Sequence, residues 1–434
     1  MSRILKIQSE TNPPFYKERN VVRVEMPEGN LNLRDCELQL KVEINSTGDA
    51  GVHNCRLGNG MKTYPVHSLI KNCKLINSGK DVLEEIQNYN VLACNQLQVV
   101  STKEDQDSSV PFGNYTGAKM SDFRELGLTA SVERKPLLHI PIRNLFGFFN
   151  QTSYNTNKNG RLIIQLELED IANVVAEEIL YTAVAPLACD DVVSGGAVIS
   201  TIKTTATAFE TENKLTLWAG CAVRVAYTDT AGAQTEDTKI TEVATDATGK
   251  MKITLADDLG NANITAVSLS QTGATALNYN VSDVNAKVYT TMMKEPAGDK
   301  VFRSWEAEAF SKPATTNYQR DYDLPPNTMN AFIMTPTADL YSVDDNVKDY
   351  RMRLNNKFTT SESVVVNSGL YQDRLMMTML NSGLTVRNLQ SESVLYCNPV
   401  KQSADNQVLH LSMRHTVNST APVVYVFRQV EKVF

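Results

Sequence analysis

Apolar and polar residues alternate one for one through much of this chain, the period of a strand with one face buried and the other wet. Val21-Val22-Arg23-Val24-Glu25-Met26 and Cys36-Glu37-Leu38-Gln39-Leu40-Lys41-Val42-Glu43-Ile44 read this way, and Pro27-Glu28-Gly29-Asn30 supplies turn chemistry between them. Residues 161–169 and 301–310 repeat the pattern. Residues 137–142 are the expected partner of 161–169, at an edge or a strand end because Pro141 offers no N–H to a ladder. Segments 330–334, 393–397, 407–413 and 423–427 complete a strand-rich C-terminal unit. A strand at the chain end is expected to pair in a sheet, with residues 430–434 free to reach a neighbouring subunit.

Helical period is confined to two places, and one phrase leads into both. Near the start, Ser68-Leu69-Ile70-Lys71 runs through Leu75-Ile76-Asn77-Ser78-Gly79 into Glu84-Glu85-Ile86-Gln87-Asn88-Tyr89-Asn90-Val91-Leu92. Near the end, Tyr350-Arg351-Met352-Arg353-Leu354-Asn355-Asn356-Lys357 runs through a Ser/Thr/Val-rich stretch into Leu370-Tyr371-Gln372-Asp373-Arg374-Leu375-Met376. Each is an alternating segment, an Asn-containing turn and then a Tyr-bearing amphipathic helix. Ile86, Tyr89, Ala93 and Leu97 form one helical stripe; Tyr371, Leu375, Met376, Met379 and Leu380 form a broader one, stopped by Asn381-Ser382-Gly383. The duplication implies two similar β-units, each with one helix.

Between them the composition changes. Residues 198–289 are rich in Thr, Ala, Gly, Asp and Val, with short runs such as Lys214-Leu215-Thr216-Leu217-Trp218, Ala222-Val223-Arg224-Val225-Ala226-Tyr227, Met251-Lys252-Ile253-Thr254-Leu255 and Ala266-Val267-Ser268-Leu269. Turn dipeptides at this spacing suggest a small inserted β-barrel or sandwich.

The 434 residues suffice for roughly two to three domains. The net charge of −7, with both signs interspersed, argues against a surface built for nucleic acid or anionic membrane. Cys36, Cys55, Cys73, Cys94, Cys189, Cys221 and Cys397 are scattered and contain no C-x-x-C, so neither a zinc site nor a disulfide framework is indicated. The N-terminus has no apolar signal core, and the apolar stretch 171–193 is broken by Glu177, Glu178, Asp190 and Asp191; a soluble intracellular product is expected.

Candidate chemistry is sparse. Ser68 and Lys71 match S-x-x-K, but three apart on a strand they face opposite sides. His53, His67, His139, His410 and His415 lack metal-ligand spacing, and Asp190-Asp191 and Asp344-Asp345 fit no calcium loop. No phosphate-cradling glycine string occurs. Sequons at Asn45, Asn114, Asn150, Asn263, Asn280 and Asn418 lack a secretion signal, and Trp218 and Trp305 are expected in β-cores rather than against sugar. Aromatic residues are dispersed rather than set along a basic groove, against a single-strand nucleic-acid platform. No catalytic, cofactor or metal residue is assigned.

The blocks 69–89, 139–149 with 160–170, and Tyr318-Gln319-Arg320-Asp321-Tyr322-Asp323-Leu324-Pro325-Pro326-Asn327 through Tyr371-Gln372-Asp373-Arg374-Leu375 resemble double jelly-roll major capsid proteins of the hexon-like lineage of icosahedral double-stranded DNA viruses, above all those of virophages and polinton-like viruses. The likeness spans residues 1–175 and 300–434. It implies an all-β chain of two jelly-roll β-sandwiches, each with one short helix, plus the inserted β-domain. The expected divisions are an N-terminal arm 1–20, a first jelly roll 21–185 with a strand near 301–311 as a candidate to close it, an insert 198–290 and a second jelly roll 301–434.

The same resemblance implies a structural, non-enzymatic subunit of the virion capsid, assembled inside the host cell into pseudo-hexagonal homotrimers, with the insert on the outer face. Its partners would be neighbouring capsomers, penton and minor or cement proteins, with no cofactor and no small-molecule substrate. Arg3, Lys6, Lys17 and Arg19 make the N-terminal arm a candidate for lattice, scaffold or genome contact, beside the plainer reading of a solvated arm. The rival readings are a penton or minor capsid protein with one jelly roll, and a carbohydrate- or receptor-binding β-sandwich.

Overall fold

A computed structural model of the chain describes residues 3–11, 13–15, 20–46, 55–57, 65–79, 81–100, 137–177, 187–188, 199–207, 222–229, 231–245, 247, 249–259, 265–271, 277–335, 346–366, 368–381, 396–399, 403–417 and 423–434. The N-terminal part forms β1 (Ile4–Gln8), β2 (Val21–Glu25), β3 (Asn30–Ser46), β4 (Cys55–Leu57), β5 (Ile70–Asn77), β6 (Val82–Ile86), β7 (Leu137–Pro141), β8 (Tyr154–Asn155), β9 (Leu162–Leu168) and β10 (Val175–Glu177). The middle forms β11 (Leu187–Ala188), β12 (Ile199–Thr207), β13 (Ala222–Asp229), β14 (Gly232–Thr245), β15 (Lys250–Leu259), β16 (Thr265–Gln271) and β17 (Leu277–Thr290). The C-terminal part forms β18 (Val301–Ser311), β19 (Asn317–Leu324), β20 (Thr328–Met334), β21 (Val347–Leu354), β22 (Lys357–Phe358), β23 (Val364–Val365), β24 (Tyr396–Pro399), β25 (Gln407–His415) and β26 (Val423–Val433). Among the described residues the two longer helices are α1 (Tyr89–Val100) and α2 (Gly369–Asn381).

Two sandwiches of one topology result. In the first, the sheet β1-β17-β3-β7 faces the sheet β2-β9-β5-β6; in the second, β18-β26-β20-β24 faces β19-β25-β21-β22. Leaving aside the short β4, β8, β10 and β23, both place their first, eighth, third and sixth strands in one sheet and their second, seventh, fourth and fifth in the other. That is the jelly-roll order. The duplicated phrase is the fourth strand, fifth strand and helix of each roll, ending in α1 and α2.

Several partners differ from expectation. The segment β7 pairs with β3, not with β9, which lies between β2 and β5. It is nonetheless an edge strand, which suits Pro141. Within the expected arm 1–20, the described residues dock on the first roll: β1 pairs with β17 from Ile4↔Tyr289 to Gln8↔Asn285, and Phe15, fully buried, bridges to Val281. The insert ends before β17, because β17 pairs along β3 and is the eighth strand of the first roll. The strand at 301–311 is the first of the second roll, paired with β26 from Val301↔Val433 to Ser311↔Val423. Phe434 exchanges backbone bonds with Lys300, so residues 430–434 dock on their own chain.

The insert therefore leaves the first roll between its seventh and eighth strands. Its described residues form a six-stranded sheet, β11-β16-β13-β14-β15-β12, with an apolar cluster of its own that includes Val223, Val225, Tyr227, Ile240, Ile253 and Leu269. Residues 214–218, with Trp218, lie outside the described residues.

On α1, Tyr89 and Ala93 are buried, whereas Ile86 closes β6 instead of opening the helix. On α2 the buried stripe is narrower than the composition suggested: Tyr371, Leu375 and Met379 face in at i, i+4, i+8, while Met376 and Leu380 are exposed.

Candidate functional site

The residues weighed for chemistry do not converge. Ser68 sits in the 3-10 turn Pro65–Leu69, not on the strand that bears Lys71, and is fully buried. His67 is buried with its Nδ1 2.7 Å from the Tyr89 hydroxyl, which in turn donates to the Asn144 carbonyl at 3.2 Å. Burial pushes His67 down to about 3, so it packs as a neutral ring. His139 lies 3.5 Å from Glu37 on the outer face of β7 and β3, and His410 lies 2.5 Å from Asp321 on the second roll. Cys36 and Cys73 are free and buried; desolvation raises the Cys36 thiol to about 12 and Cys73 well above its ordinary value, which makes both poor nucleophiles. Trp305 stacks on Phe332 at 4.9 Å, a core role. His53, the pairs 190–191 and 344–345, and the sequons at 114, 263 and 418 lie outside the described residues. Among the described residues no group of His, Cys, Asp or Glu is placed to hold a metal, and no helix is long and apolar enough to cross a membrane.

What the structure does assemble is a seam between the rolls. Strands β20 and β26 are apolar on both sides: Ala331, Ile333, Val424 and Val426 face the second roll's own core, while the intervening Phe332, Met334, Tyr425 and Phe427 join the core of the first. A strand covered on both faces reads as a continuous apolar run instead of an alternation, and Ala331-Phe332-Ile333-Met334 and Val423-Val424-Tyr425-Val426-Phe427 are such runs. That was the signal available in the sequence for the seam.

At one end of the seam the backbones touch. Gly147 lies so close to β18 that an added Cβ would sit 1.6 Å from the Arg303 carbonyl oxygen. Phe148 meets Tyr154, Phe302 and Phe434 edge-on at 5.1–5.5 Å. Beneath them Glu84, fully buried on β6, accepts from the Gly147 and Phe148 N–H groups at 3.0 and 2.6 Å. Desolvation pushes its carboxyl up to about 7 despite those bonds and the Lys432 ammonium. No motif announces Glu84; only the fold brings residues 84, 147 and 303 together.

The register also orients the rolls. The close approach of Gly147 to Arg303 joins the end of the first roll that holds the tight turn 26–29 and the end of β5 to the end of the second that holds 325–327 and 355–356. At the opposite end, Tyr425 near the start of β26 feels the charge of Glu169 just beyond β9. The rolls thus stand side by side and point the same way. Tight turns and the connections 142–161 and 291–300 mark one end; the insert leaves from the other, after β9.

No family model matches the sequence, and no curated protein matches it. Solved structures do. The chain is similar to the Faustovirus major capsid protein, with a TM-score of 0.56 and 9% identity, covering 100% of this chain and 90% of that one. It is similar to VP54 of PBCV-1, fitted into a reconstruction of the virophage Sputnik, with a TM-score of 0.51 and 9% identity over 100% and 94% of the two chains. The quasi-atomic PBCV-1 capsid matches to the same extent. At these identities the likeness is one of fold: the double jelly roll expected from the sequence is the fold of this chain.

Proposed function

We propose that this chain is a structural subunit of an icosahedral virion shell, acting by assembly and not by catalysis, as a homotrimer whose six rolls form a pseudo-hexagonal capsomer. One observation supports this most: two rolls of one topology stand parallel, fused through one core, with the insert leaving from one end. Their packing is head to tail, the first strand of the second roll (β18) against the fifth of the first (β6), and not face to face. Such a contact, repeated between chains, closes a ring, and three chains supply six sides. Capsomer flanks would meet neighbouring capsomers, penton and minor proteins, with the insert outward. Lys6 on the docked strand β1 and Arg3 just before it, both exposed, would make any inner-layer contact.

Size-exclusion chromatography with light scattering is expected to give a trimer, and negative-stain images hexagonal outlines. Subunit contacts of more than ~2,000 Å² are needed for such an obligate oligomer. A monomer that binds glycans would overturn this reading in favour of a carbohydrate-binding protein. A pentamer would favour a penton, which the second roll already disfavours.

A further inference from the structure

At the tight-turn end, a lysine, a glutamate and an asparagine side chain meet in one part-buried cluster. The Lys300 ammonium lies 2.6 Å from Glu295 Oε1, and the Asn159 side-chain nitrogen lies 2.7 Å from each Glu295 oxygen. The side chains of Lys300 and Glu295 are 12% and 5% exposed, so little water competes. The Tyr154 ring walls the site, its centroid 5.7 Å from Lys300 Nζ. Amine and amide thus meet on one carboxylate.

Both reacting residues are held from behind. Lys300 exchanges backbone bonds with Phe434 at 2.8 and 2.9 Å. The Asn159 carbonyl accepts from Asn77 Nδ2 at 2.9 Å and the Tyr154 hydroxyl at 3.2 Å, and its helical turn is capped by the Asn155 side chain. Such anchoring limits the freedom of both residues, which is what an intramolecular reaction requires of its scaffold.

We propose that Lys300 and Asn159 join through an isopeptide bond with Glu295 as the proton shuttle. Glu295 acts as the base at the reacting contact, taking a proton from Lys300 Nζ as that nitrogen turns to the Asn159 amide. A half-turn of the Asn159 amide sets its oxygen on the resulting acid, which donates to it as Lys300 Nζ attacks Cγ. The new Nζ–Cγ bond forms, the Cγ–Nδ2 bond breaks, and Glu295 moves a proton from the attacking to the leaving nitrogen. Lys300 ammonium and Asn159 amide become one secondary amide and one ammonium ion; nothing is oxidised or reduced. The bond ties the sixth-to-seventh-strand connection of the first roll to the residue before β18, a covalent strut across the seam.

Intact mass spectrometry of the denatured full-length chain tests it. The expected mass is one ammonia below that of the sequence, with a branched tryptic peptide joining Asn159 to Lys300. Lys300→Arg, which keeps the ion pair but cannot be acylated, and Glu295→Gln are expected to show the full mass while eluting as the wild type does. A wild-type chain at full mass overturns the proposal. So does ammonia loss confined to a linear peptide through Asn159-Gly160, which marks succinimide closure on the neighbouring glycine. Retention of the ammonia loss in Lys300→Arg overturns it as well, even where Glu295→Gln fails to fold.

Discussion

The first sheets of the two rolls share strand order but not surroundings. In β1-β17-β3-β7 the apolar positions Leu38, Leu40, Val42, Val284, Ala286 and Val288 are buried, and the intervening Glu37, Gln39, Lys41 and Lys287 form a polar outer face. In β18-β26-β20-β24 the outer face is Phe332, Tyr425 and Phe427, pressed into the neighbouring roll. One topology can therefore present either a wet wall or a glued one. Which it presents is decided by the residues in the alternate positions, and the glued wall is what makes the two rolls one body.

Truncating the glued face has the largest expected effect. Phe427→Ala is expected to cost about 3–5 kcal/mol, read from denaturant midpoints, because Phe427 is fully buried and the seam cannot collapse around the gap. A loss under 1 kcal/mol would mean that the rolls are held together elsewhere.

The seam is also expected to respond to pH through Glu84. Its carboxyl is raised from 4.5 to about 7, so the folded state holds a proton that the unfolded chain has released between these values. Stability is therefore full below pH 4.5 and falls as pH rises through 7, by roughly 3 kcal/mol for a fully buried group. Glu84→Gln should abolish this slope in pH-dependent melts, and an unchanged slope would remove Glu84 as its source. His67 acts with the opposite sign: its lowered value means stability held above pH 6.5 and lost as pH falls towards 3. His67→Gln is expected to flatten that acid limb alone.

The wet wall should be nearly silent. Lys287, about a third exposed and 3.5 Å from Glu37, is expected to change stability by less than about 0.5 kcal/mol as Lys287→Ala in the isolated chain. A larger loss in the trimer than in a dilute monomer would mark this face as an intersubunit contact.

Local features of the fold were legible. The phrase ending in Tyr89 and Tyr371 involves neighbouring residues, so its periodicity survives as a strand, turn and helix in both rolls. The turn at 355–356 is plain, since Asn355 and Asn356 adopt the positive φ of 48° and 65° that Asn tolerates. By contrast, β17 alternates like any strand, yet nothing in residues 277–290 says that they pair with β3 across about 240 positions of chain. The insert's composition blends into β17, so composition alone sets the boundary too late. For the site, the candidates weighed were single motifs, whereas the seam and the Lys300–Glu295–Asn159 cluster draw on residues far apart in sequence.

From its own periodicity the chain dictates strands, two helices, a repeated unit and an inserted one, because each depends on side chains a few residues apart. Strand partners, the docking of β1, the doubly buried sheet and the raised carboxyl at Glu84 were decided only on folding. They depend on which distant segments exclude water from one another, and that is a property of the packed chain.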